Sequence, residues 1–334
     1  MNIEKFCEIY GFGKVISKEK ILGGLMHKMF KVETDKQTYC IKILNSEVMA
    51  RKEAFNNFII SERISNLAKQ NGIPASCAIN VNGNYLIKMD DFYYMVFDFI
   101  DGKILDDNEI TIEDCKKIGN ILAKIHSLNY EIIGLKPHVV EYKRLYCWEE
   151  YTNNSNFNSM IYKDKYLSEY KKYNSILKKA TESFNSSNVN QTICHCDMDS
   201  KNVMWHNDNP IIIDWESAHI ANPERELLET ALCWSGFSSN NFNDEKFKII
   251  FREYSKYRII YNCDWLSVIF GNLVGRFGWL KYNLERSLGI ISNDEDEKLI
   301  AENEVLKTIN EINRYLNLID KMNSIISELN DKAK

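Results

Sequence analysis

The sequence of 334 residues predicts an α+β protein with a sheet-rich N-terminal part and a larger helical C-terminal part. Short runs of β-branched and aromatic residues dominate up to about residue 100. Apolar residues then recur at steps of three or four, which is typical of amphipathic helices. The net charge changes at the same point, from +3 over residues 1–97 to −8 over the remainder. We therefore expect two domains, residues 1–100 and residues 101–334.

The strands of the first domain are predicted by four apolar runs that are rich in β-formers. These runs cover residues 28–33, 38–44, 85–89 and 92–99. One helical segment, at about residues 48–70, interrupts them. It ends before the sequence Asn71-Gly72-Ile73-Pro74, which stops helices.

The second domain begins with a capping-box pattern at Thr111 and Asp114, followed by apolar residues at helical spacing. Further helices are expected at about residues 141–150, 159–183, 243–257 and 264–285. The apolar residues between Val305 and Ile326 are spaced as in a coiled coil, although they cover only about three heptads. A last helix packed against the other helices is the favoured interpretation.

Composition excludes several classes of protein. Hydrophobic residues make up 45% of the chain and charged residues 27%, which is ordinary for a globular protein. A net charge of −5 argues against general nucleic-acid binding. No apolar stretch has the ~20 residues needed to cross a membrane, and nine cysteines without a secretion signal indicate reduced thiols. We expect a cytoplasmic protein, monomeric or weakly dimeric, with neither nucleic-acid nor membrane partners.

One segment of the chain combines polar residues in a pattern suited to chemistry. His195, Asp197 and Asn202 lie on a short loop between apolar runs, and an apolar triplet then leads to Asp214 and Glu216. Strand-like runs on both sides would bring Asp197, Asn202 and Asp214 to one end of a hairpin. Carboxylate and amide oxygens are the ligands that Mg²⁺ prefers, and a further carboxylate could accept a proton from a hydroxyl.

The spacing His195-x-Asp197-x4-Asn202, with Asp214 17 residues after Asp197, resembles the catalytic segment of protein kinases. Together with Asp214-Trp215-Glu216 it is similar to the aminoglycoside phosphotransferase and choline kinase family of small-molecule kinases. The resemblance covers about residues 20–235. It implies a bilobal protein-kinase-like fold, in which a five-stranded antiparallel sheet with one main helix precedes a larger helical lobe.

The resemblance also assigns residues of the first domain to a nucleotide. Gly23 and Gly24 match the turn over the nucleotide phosphates, and Lys42 matches the lysine that binds the α- and β-phosphates. In this family a helix glutamate pairs with that lysine. Glu62 is the first candidate for this partner and Glu53 is the second.

The segment Asp98-Phe99-Ile100 resembles the hinge whose backbone pairs with adenine. Without the resemblance it reads as a buried strand that ends in a turn. The resemblance implies ATP as the phosphoryl donor. GTP, which some relatives use, stays open.

The catalytic roles follow from the resemblance residue by residue. Asp197 would orient the acceptor hydroxyl and take its proton, while His195 would support the loop rather than transfer protons. Asn202 and Asp214 would hold Mg²⁺, and Glu216 would assist through water or contact the substrate.

The implied acceptor is a small, cationic molecule with a hydroxyl group. An aminoglycoside-like compound is the first candidate, and choline, an amino alcohol, homoserine or thiamine remain open. Candidate substrate contacts are Asp199, Glu216, Trp234 and Trp279. Carboxylates of the helical part, such as Glu226, Glu229 or Asp264, could equally bind an amine. The tryptophans could surround an ammonium group through cation–π attraction, or simply pack in the core.

Two departures qualify the resemblance. Cys196 stands where protein kinases often have arginine, which argues against a protein kinase. His27 stands where many relatives have Ser-Asn, which leaves the contact of the glycine turn with phosphate open. A catalytically silent nucleotide-binding protein on the same fold remains the alternative, although Lys42, Asp197, Asn202 and Asp214 are retained together, which argues against it.

Overall fold

The computed structural model describes residues 2–21, 27–137, 141–143, 146–260 and 263–331. The chain divides into two compact units. Unit 1 comprises Met1–Ile110, Lys124–Lys136 and Thr192–Ala221, and unit 2 comprises Thr111–Ala123, Pro137–Gln191 and Asn222–Lys334. The segment that carries the HxD loop and the aspartate after it therefore lies in the same unit as the N-terminal sheet.

Unit 1 contains a five-stranded antiparallel sheet with the strand order β1-β2-β3-β5-β4, which confirms the predicted sheet. The elements of its N-terminal part are α1 (Ile3–Ile9), β1 (Val15–Ile21), β2 (Lys28–Thr34), β3 (Thr38–Ile43), α2 (Ser46–Met49), α3 (Ala54–Gln70), β4 (Ile87–Met89) and β5 (Phe92–Asp98). The later segment adds β6 (Thr192–Cys194), β7 (Val203–His206), β8 (Asn209–Ile212) and β9 (His219–Ala221).

The alternation of side chains along β3 decides where its lysine points. Tyr39, Ile41 and Ile43 join the apolar core that includes Phe6 of α1. Because successive side chains of a strand project to opposite faces, Lys42 lies on the other face of the sheet.

That other face is covered by α3. Phe58 of α3 packs with Leu44 and Met95 in a second apolar cluster. The predicted helix over residues 48–70 is confirmed from Ala54 to Gln70 as α3. Its first residues belong to the separate short helix α2, where the Asn45 side chain accepts the amide of Glu47. The main helix of the unit thus lies on the same side of the sheet as Lys42.

Unit 2 is helical. Its helices are α5 (Lys163–Ser187), α6 (Pro223–Trp234), α7 (Asp244–Ser255), α8 (Trp265–Gly271), α9 (Leu273–Ser287), α10 (Glu295–Asp331) and most of α4 (Ile112–His126). No helix in the described ranges is long and apolar enough to cross a bilayer.

Three predictions in the helical part can be compared with the structure. The expected helix at residues 141–150 is wrong, since residues 141–143 are not helical and Trp148–Asn153 form a 3₁₀ turn. The expected helix at 264–285 is two helices, α8 and α9, which meet at Asn272. The last helix, α10, packs against α9. Of the apolar residues that are spaced as in a coiled coil, Leu316 is partly buried, and the buried ones are Val305, Ile309, Ile312, Ile319 and Ile326. The interpretation as a packed helix is therefore confirmed.

A carboxylate is buried on α3. Glu62 is only 3% exposed, and its Oε2 accepts the amide N–H of Ala78 at 2.8 Å and the hydroxyl of Ser65 at 3.2 Å. Burial raises the pKa of Glu62 to about 7, against the opposing effects of these hydrogen bonds and of the Lys42 charge. Glu62 therefore connects α3 to the segment that follows it. Because the carboxyl group is buried, its ionised form destabilises the folded protein relative to its neutral form.

We expect Glu62→Gln to change how stability depends on pH. Since the folded pKa lies above the unfolded value, the folded protein holds an extra proton between about pH 4.5 and 7, and wild-type stability falls across this range. The amide of Glu62→Gln does not ionise, so the variant does not lose stability in this way as the pH rises. The free energy of unfolding of the variant relative to wild type should rise by on the order of 2 kcal/mol from pH 5 to pH 8.

Denaturant unfolding at the two pH values measures this change. Glu53→Gln removes an exposed carboxylate at the start of the same helix and serves as the matched control. If the difference in free energy of unfolding between Glu62→Gln and wild type were the same at both pH values, the expected destabilisation by the buried charge would be contradicted.

Candidate active site

The hairpin of β7 and β8 brings two predicted metal ligands to the same end. Val203 pairs with Ile212, so Asn202 precedes the first strand at the point where the second strand ends. The amide of Ile213 donates to the carbonyl of Asn202 at 2.9 Å, which extends the pairing by one step. Asp214 follows directly. The expected convergence of Asn202 and Asp214 at one hairpin end is thus what the backbone shows.

His195 joins the loop to this hairpin end. Its ring is fully buried, lies edge-on to Trp215 at 4.7 Å between ring centroids, and has Nε2 3.1 Å from the carbonyl oxygen of Ile213. Because a carbonyl oxygen only accepts, Nε2 carries the proton. This contact suits a residue that supports the loop.

Two residues of the site have left-handed backbone conformations. Cys196 has φ of +66° and Asp214 has φ of +57°. This region is costly for residues other than glycine, and such strain persists only where surrounding contacts impose it. One of these residues directly precedes Asp197, and the other is itself a proposed metal ligand.

Asp197 is held by the residue five positions later. The Asn202 amide nitrogen donates to Oδ2 of Asp197 at 2.7 Å and to its backbone carbonyl at 2.8 Å. This leaves the amide oxygen of Asn202 as the atom that could ligate a metal ion. Burial raises the pKa of Asp197, although Lys201, whose Nζ lies 3.6 Å from Oδ1, and Asn202 oppose the shift.

Lys42 binds two carboxylates of the segment after β8. Its Nζ lies 2.8 Å from Oδ1 of Asp214 and 2.6 Å from Oε2 of Glu216, and its side chain is only 9% exposed. Burial disfavours the charged lysine, but Glu216 and Asp214 outweigh it and raise the pKa of Lys42. These contacts connect the central strand of the sheet with the proposed metal site.

Glu216 has a second partner, His27, whose Nε2 lies 3.3 Å from the same carboxylate oxygen. Burial alone would raise the pKa of Glu216. The bond from His27 and the charge of Lys42 instead lower it to about 2. Glu216 was expected to assist a metal or contact the substrate, and here it stands as the partner of Lys42 and His27.

The expected pair between Lys42 and Glu62 is not a direct contact. Among the described residues, the ion pairs of Lys42 within 4.0 Å are those with Asp214 and Glu216. Glu62 instead turns to the amide of Ala78, and Glu53 is exposed at the start of α3. The charge of Lys42 acts on Glu62 only through space, where it lowers the pKa of that carboxyl.

The predicted hinge residues lie at the end of β5. Asp98 is the last residue of the strand, and Phe99 and Ile100 follow it. Asp98 pairs with Tyr39 in the sheet, and the amide of Phe99 donates to the carbonyl of Thr38 at 3.2 Å. The Phe99 amide is therefore used within unit 1, and Ile100 is the next residue along the chain. Gly23 and Gly24 lie outside the described residues.

The proposed substrate contacts have different environments. Asp199 caps the 3₁₀ turn Ser200–Asn202, where its Oδ1 accepts the amide of Lys201 at 3.3 Å. Trp234 is fully buried at the end of α6 and belongs to the core of unit 2, which corrects its expected place in a pocket. Trp279 of α9 is 40% exposed and lines a cavity.

This cavity lies within unit 2 and has a volume of about 290 Å³. Its lining residues are Glu229, Asn272, Gly275, Arg276, Trp279, Thr308 and Glu311. The charge of Glu229 is compensated, since its two oxygens accept both terminal nitrogens of Arg276, at 2.9 and 3.0 Å, and one also accepts the amide of Asn272.

The second carboxylate of the cavity is less well compensated. Glu311 forms a long ion pair, at 4.0 Å, with Arg314 three residues later on the same helix. Burial raises the pKa of Glu311 in spite of Arg276, Lys307 and Arg314. The sequence does carry a signal for this residue, because Thr308 and Glu311 interrupt the apolar face of α10 with polar side chains.

Comparison with known proteins finds a matching family and solved structures with the same fold. A sequence profile described as the phosphotransferase enzyme family matches residues 19–260. No curated protein matches the chain.

Several solved structures share the fold. A spectinomycin phosphotransferase in complex with ADP and spectinomycin has a TM-score of 0.64 at 15% identity, over 92% of this chain and 96% of that one. A choline kinase from Cryptosporidium parvum Iowa II has a TM-score of 0.59 at 15% identity, over 96% of both chains. An amicoumacin kinase in complex with AMP-PNP, Ca²⁺ and Ami has a TM-score of 0.56 at 11% identity, over 87% of both chains.

At these identities the structural likeness establishes a protein-kinase-like fold. The profile match, which extends from β1 to the segment after α7, establishes the family and confirms the resemblance found in the sequence. The chain belongs to the phosphotransferase enzyme family.

Proposed function

We propose that the protein transfers the terminal phosphoryl group of ATP, with Mg²⁺, to a hydroxyl of a small, amine-bearing molecule. The observation that carries the proposal is the contact of Lys42 with Asp214, at the hairpin end that also holds Asn202 and Asp197. A phosphate-binding cation, two oxygen ligands and a carboxylate base are the parts that phosphoryl transfer requires.

Asp214 and the amide oxygen of Asn202 form a donor set that fits Mg²⁺, which prefers oxygen ligands and keeps substrate phosphates and waters in its shell. When bound, the ion would neutralise charge on the phosphates and position them. Lys42 would then direct its ammonium group to the phosphate oxygens. The neighbouring spectinomycin phosphotransferase and amicoumacin kinase are complexes with ADP and AMP-PNP, which supports a nucleotide as the donor.

Asp197 is the proposed base. Its carboxylate is oriented by the Asn202 amide, and burial raises its pKa, which strengthens it as a proton acceptor. It would take the proton of the acceptor hydroxyl as the oxygen bonds to the γ-phosphorus. The bond from that phosphorus to the bridging oxygen breaks, and ADP leaves.

Asp197→Asn and Asp214→Asn should separate catalysis from binding. An amide at position 197 cannot accept the proton, so we expect turnover to fall by about 10²–10⁴-fold while Mg²⁺–ATP still binds. An amide at position 214 should instead weaken Mg²⁺–nucleotide binding. Coupled ADP release and calorimetric titration with ATP measure the two effects, and titration with GTP tests the donor.

Asp91→Asn, at an exposed position between β4 and β5, is the matched control. Wild-type turnover in the position 197 variant would remove the base assignment, and unchanged affinity in the position 214 variant would remove the metal role. Nucleotide binding without transfer to any acceptor would favour the catalytically silent alternative.

The cavity of unit 2 supports the proposed acceptor class. Glu229 is neutralised by the close ion pair with Arg276, whereas Glu311 has a long ion pair with Arg314, so Glu311 is the less compensated carboxylate of the wall. Trp279 adds a half-exposed aromatic ring, held by a bond from its Nε1 to Glu304 at 3.2 Å. A carboxylate beside an aromatic ring suits an ammonium group, which gains from both ion pairing and cation–π attraction.

Glu311→Gln should raise the KM for a cationic acceptor by roughly 10-fold and leave the KM for ATP unchanged, since one full charge is lost from the cavity. Trp279→Leu should act in the same direction. The acceptor panel includes aminoglycosides, choline, ethanolamine, homoserine, thiamine and neutral sugars. Glu295→Gln, at an exposed position of α10, serves as the control. ADP release that rises with neutral sugars and not with cations would contradict the proposed class.

A further inference from the structure

We propose that His27 is a positioning residue that holds the Glu216 carboxylate in place beside Lys42 and Asp214. The inference rests on the proposed function, because it treats Lys42 and Asp214 as groups that bind the Mg²⁺–nucleotide. His27 directly precedes β2 and is only 8% exposed, although it lies close to a charged cluster.

The hydrogen bonds of His27 define its tautomer. The backbone amide of Asn45 lies 3.0 Å from Nδ1, and a backbone amide can only donate. Nδ1 is therefore the acceptor, and in a neutral ring the proton lies on Nε2. Nε2 is 3.3 Å from Oε2 of Glu216, which can only accept as a carboxylate. The imidazole thus donates to Glu216 in its neutral form.

The ring itself is held on two further sides. Asn45 is the residue that caps α2, and Phe58 of α3 packs edge-on to the imidazole at 5.8 Å between centroids. A donor fixed in this way can orient a carboxylate, because its own rotation is restricted.

The same carboxylate oxygen connects His27 to the nucleotide machinery. Oε2 of Glu216 accepts from both His27 and Lys42, and Lys42 also contacts Asp214. The order of contacts is thus His27, Glu216, Lys42, Asp214, and it joins the start of β2, the end of β3 and the turn after β8. If Lys42 turns to a phosphate, His27 remains as the partner that keeps Glu216 in its place.

Two substitutions distinguish the hydrogen bond at Nδ1 of the imidazole from the one at Nε2. In His27→Asn the amide reaches the position of Nδ1, which preserves an acceptor for Asn45 and removes the donor to Glu216. In His27→Gln the amide reaches the position of Nε2, which preserves the donor to Glu216. A residue that only supports the fold through Asn45 and Phe58 would tolerate Asn at least as well as Gln.

We expect His27→Asn to weaken Mg²⁺–ATP binding by about 10-fold, and His27→Gln to stay within about 3-fold of wild type, because a hydrogen bond to a charged group is lost only in the first. In a Glu216→Gln background, His27→Asn should add little further loss, which is the signature of coupled residues. Calorimetric titration measures affinity, and unfolding without nucleotide verifies that each variant is folded. His206→Asn, at an exposed histidine of β7, is the control.

Equal affinities of wild type and His27→Asn, equal losses in the Asn and Gln variants, or additive losses with Glu216→Gln would each overturn the inference. A wild-type chain that binds no Mg²⁺–nucleotide would overturn the proposed function, and the inference with it. If His27→Asn does not fold, ¹⁵N NMR of the His27 ring in the wild type and in Glu216→Gln tests the inference instead. An Nε2–H tautomer whose Nε2 resonance shifts in Glu216→Gln supports the inference, and an Nδ1–H tautomer overturns it.

Discussion

The burial of a single ammonium group organises the candidate site. Lys42 lies on the α3 side of the central strand, where its side chain is almost inaccessible to water. A buried cation without opposite charge would be strongly destabilising, and the carboxylates of Asp214 and Glu216 supply that charge. The lysine therefore requires the turn after β8 to lie against the sheet. That requirement joins two segments separated by 172 positions along the chain.

The loop of Asp197 depends on the same arrangement. The carbonyl of Ile213 accepts from His195, and its amide donates to Asn202, so the residue before Asp214 contacts both ends of the loop. Asn202 then uses its amide to orient Asp197. The proposed base, Asp197, and the two proposed metal ligands, Asn202 and Asp214, are thus connected through one short stretch of backbone. Displacement of one of them would therefore shift the positions of the others.

Glu62 illustrates how an expected pair can be replaced. The helix that carries it was predicted, and it lies on the same face of the sheet as Lys42. Its carboxylate nevertheless binds Ala78, and two closer carboxylates neutralise the lysine. The charge of Lys42 still lowers the pKa of Glu62, so the two groups are electrostatically linked without direct contact.

The sequence by itself determined the features that depend on short spacings. Four strands of the sheet, helix α3 and the hairpin end that holds Asn202 and Asp214 follow from local periodicity. The family, and with it the expectation of five strands, follows from the resemblance of the ordered HxD and Asp-Trp-Glu segments. These signals are local because side-chain alternation and hairpin pairing are properties of neighbouring residues.

Only the tertiary structure decided which distant side chains meet. The partners of Lys42, the link from His27 to Glu216 and the burial of Trp234 result from contacts between elements far apart in the chain. Likewise, a helix was expected over residues 141–150, but residues 141–143 are not helical and the buried Trp148 begins a 3₁₀ turn that ends at Asn153. Burial and electrostatic pairing are summed over the whole fold, and no window of sequence contains both members of such a pair.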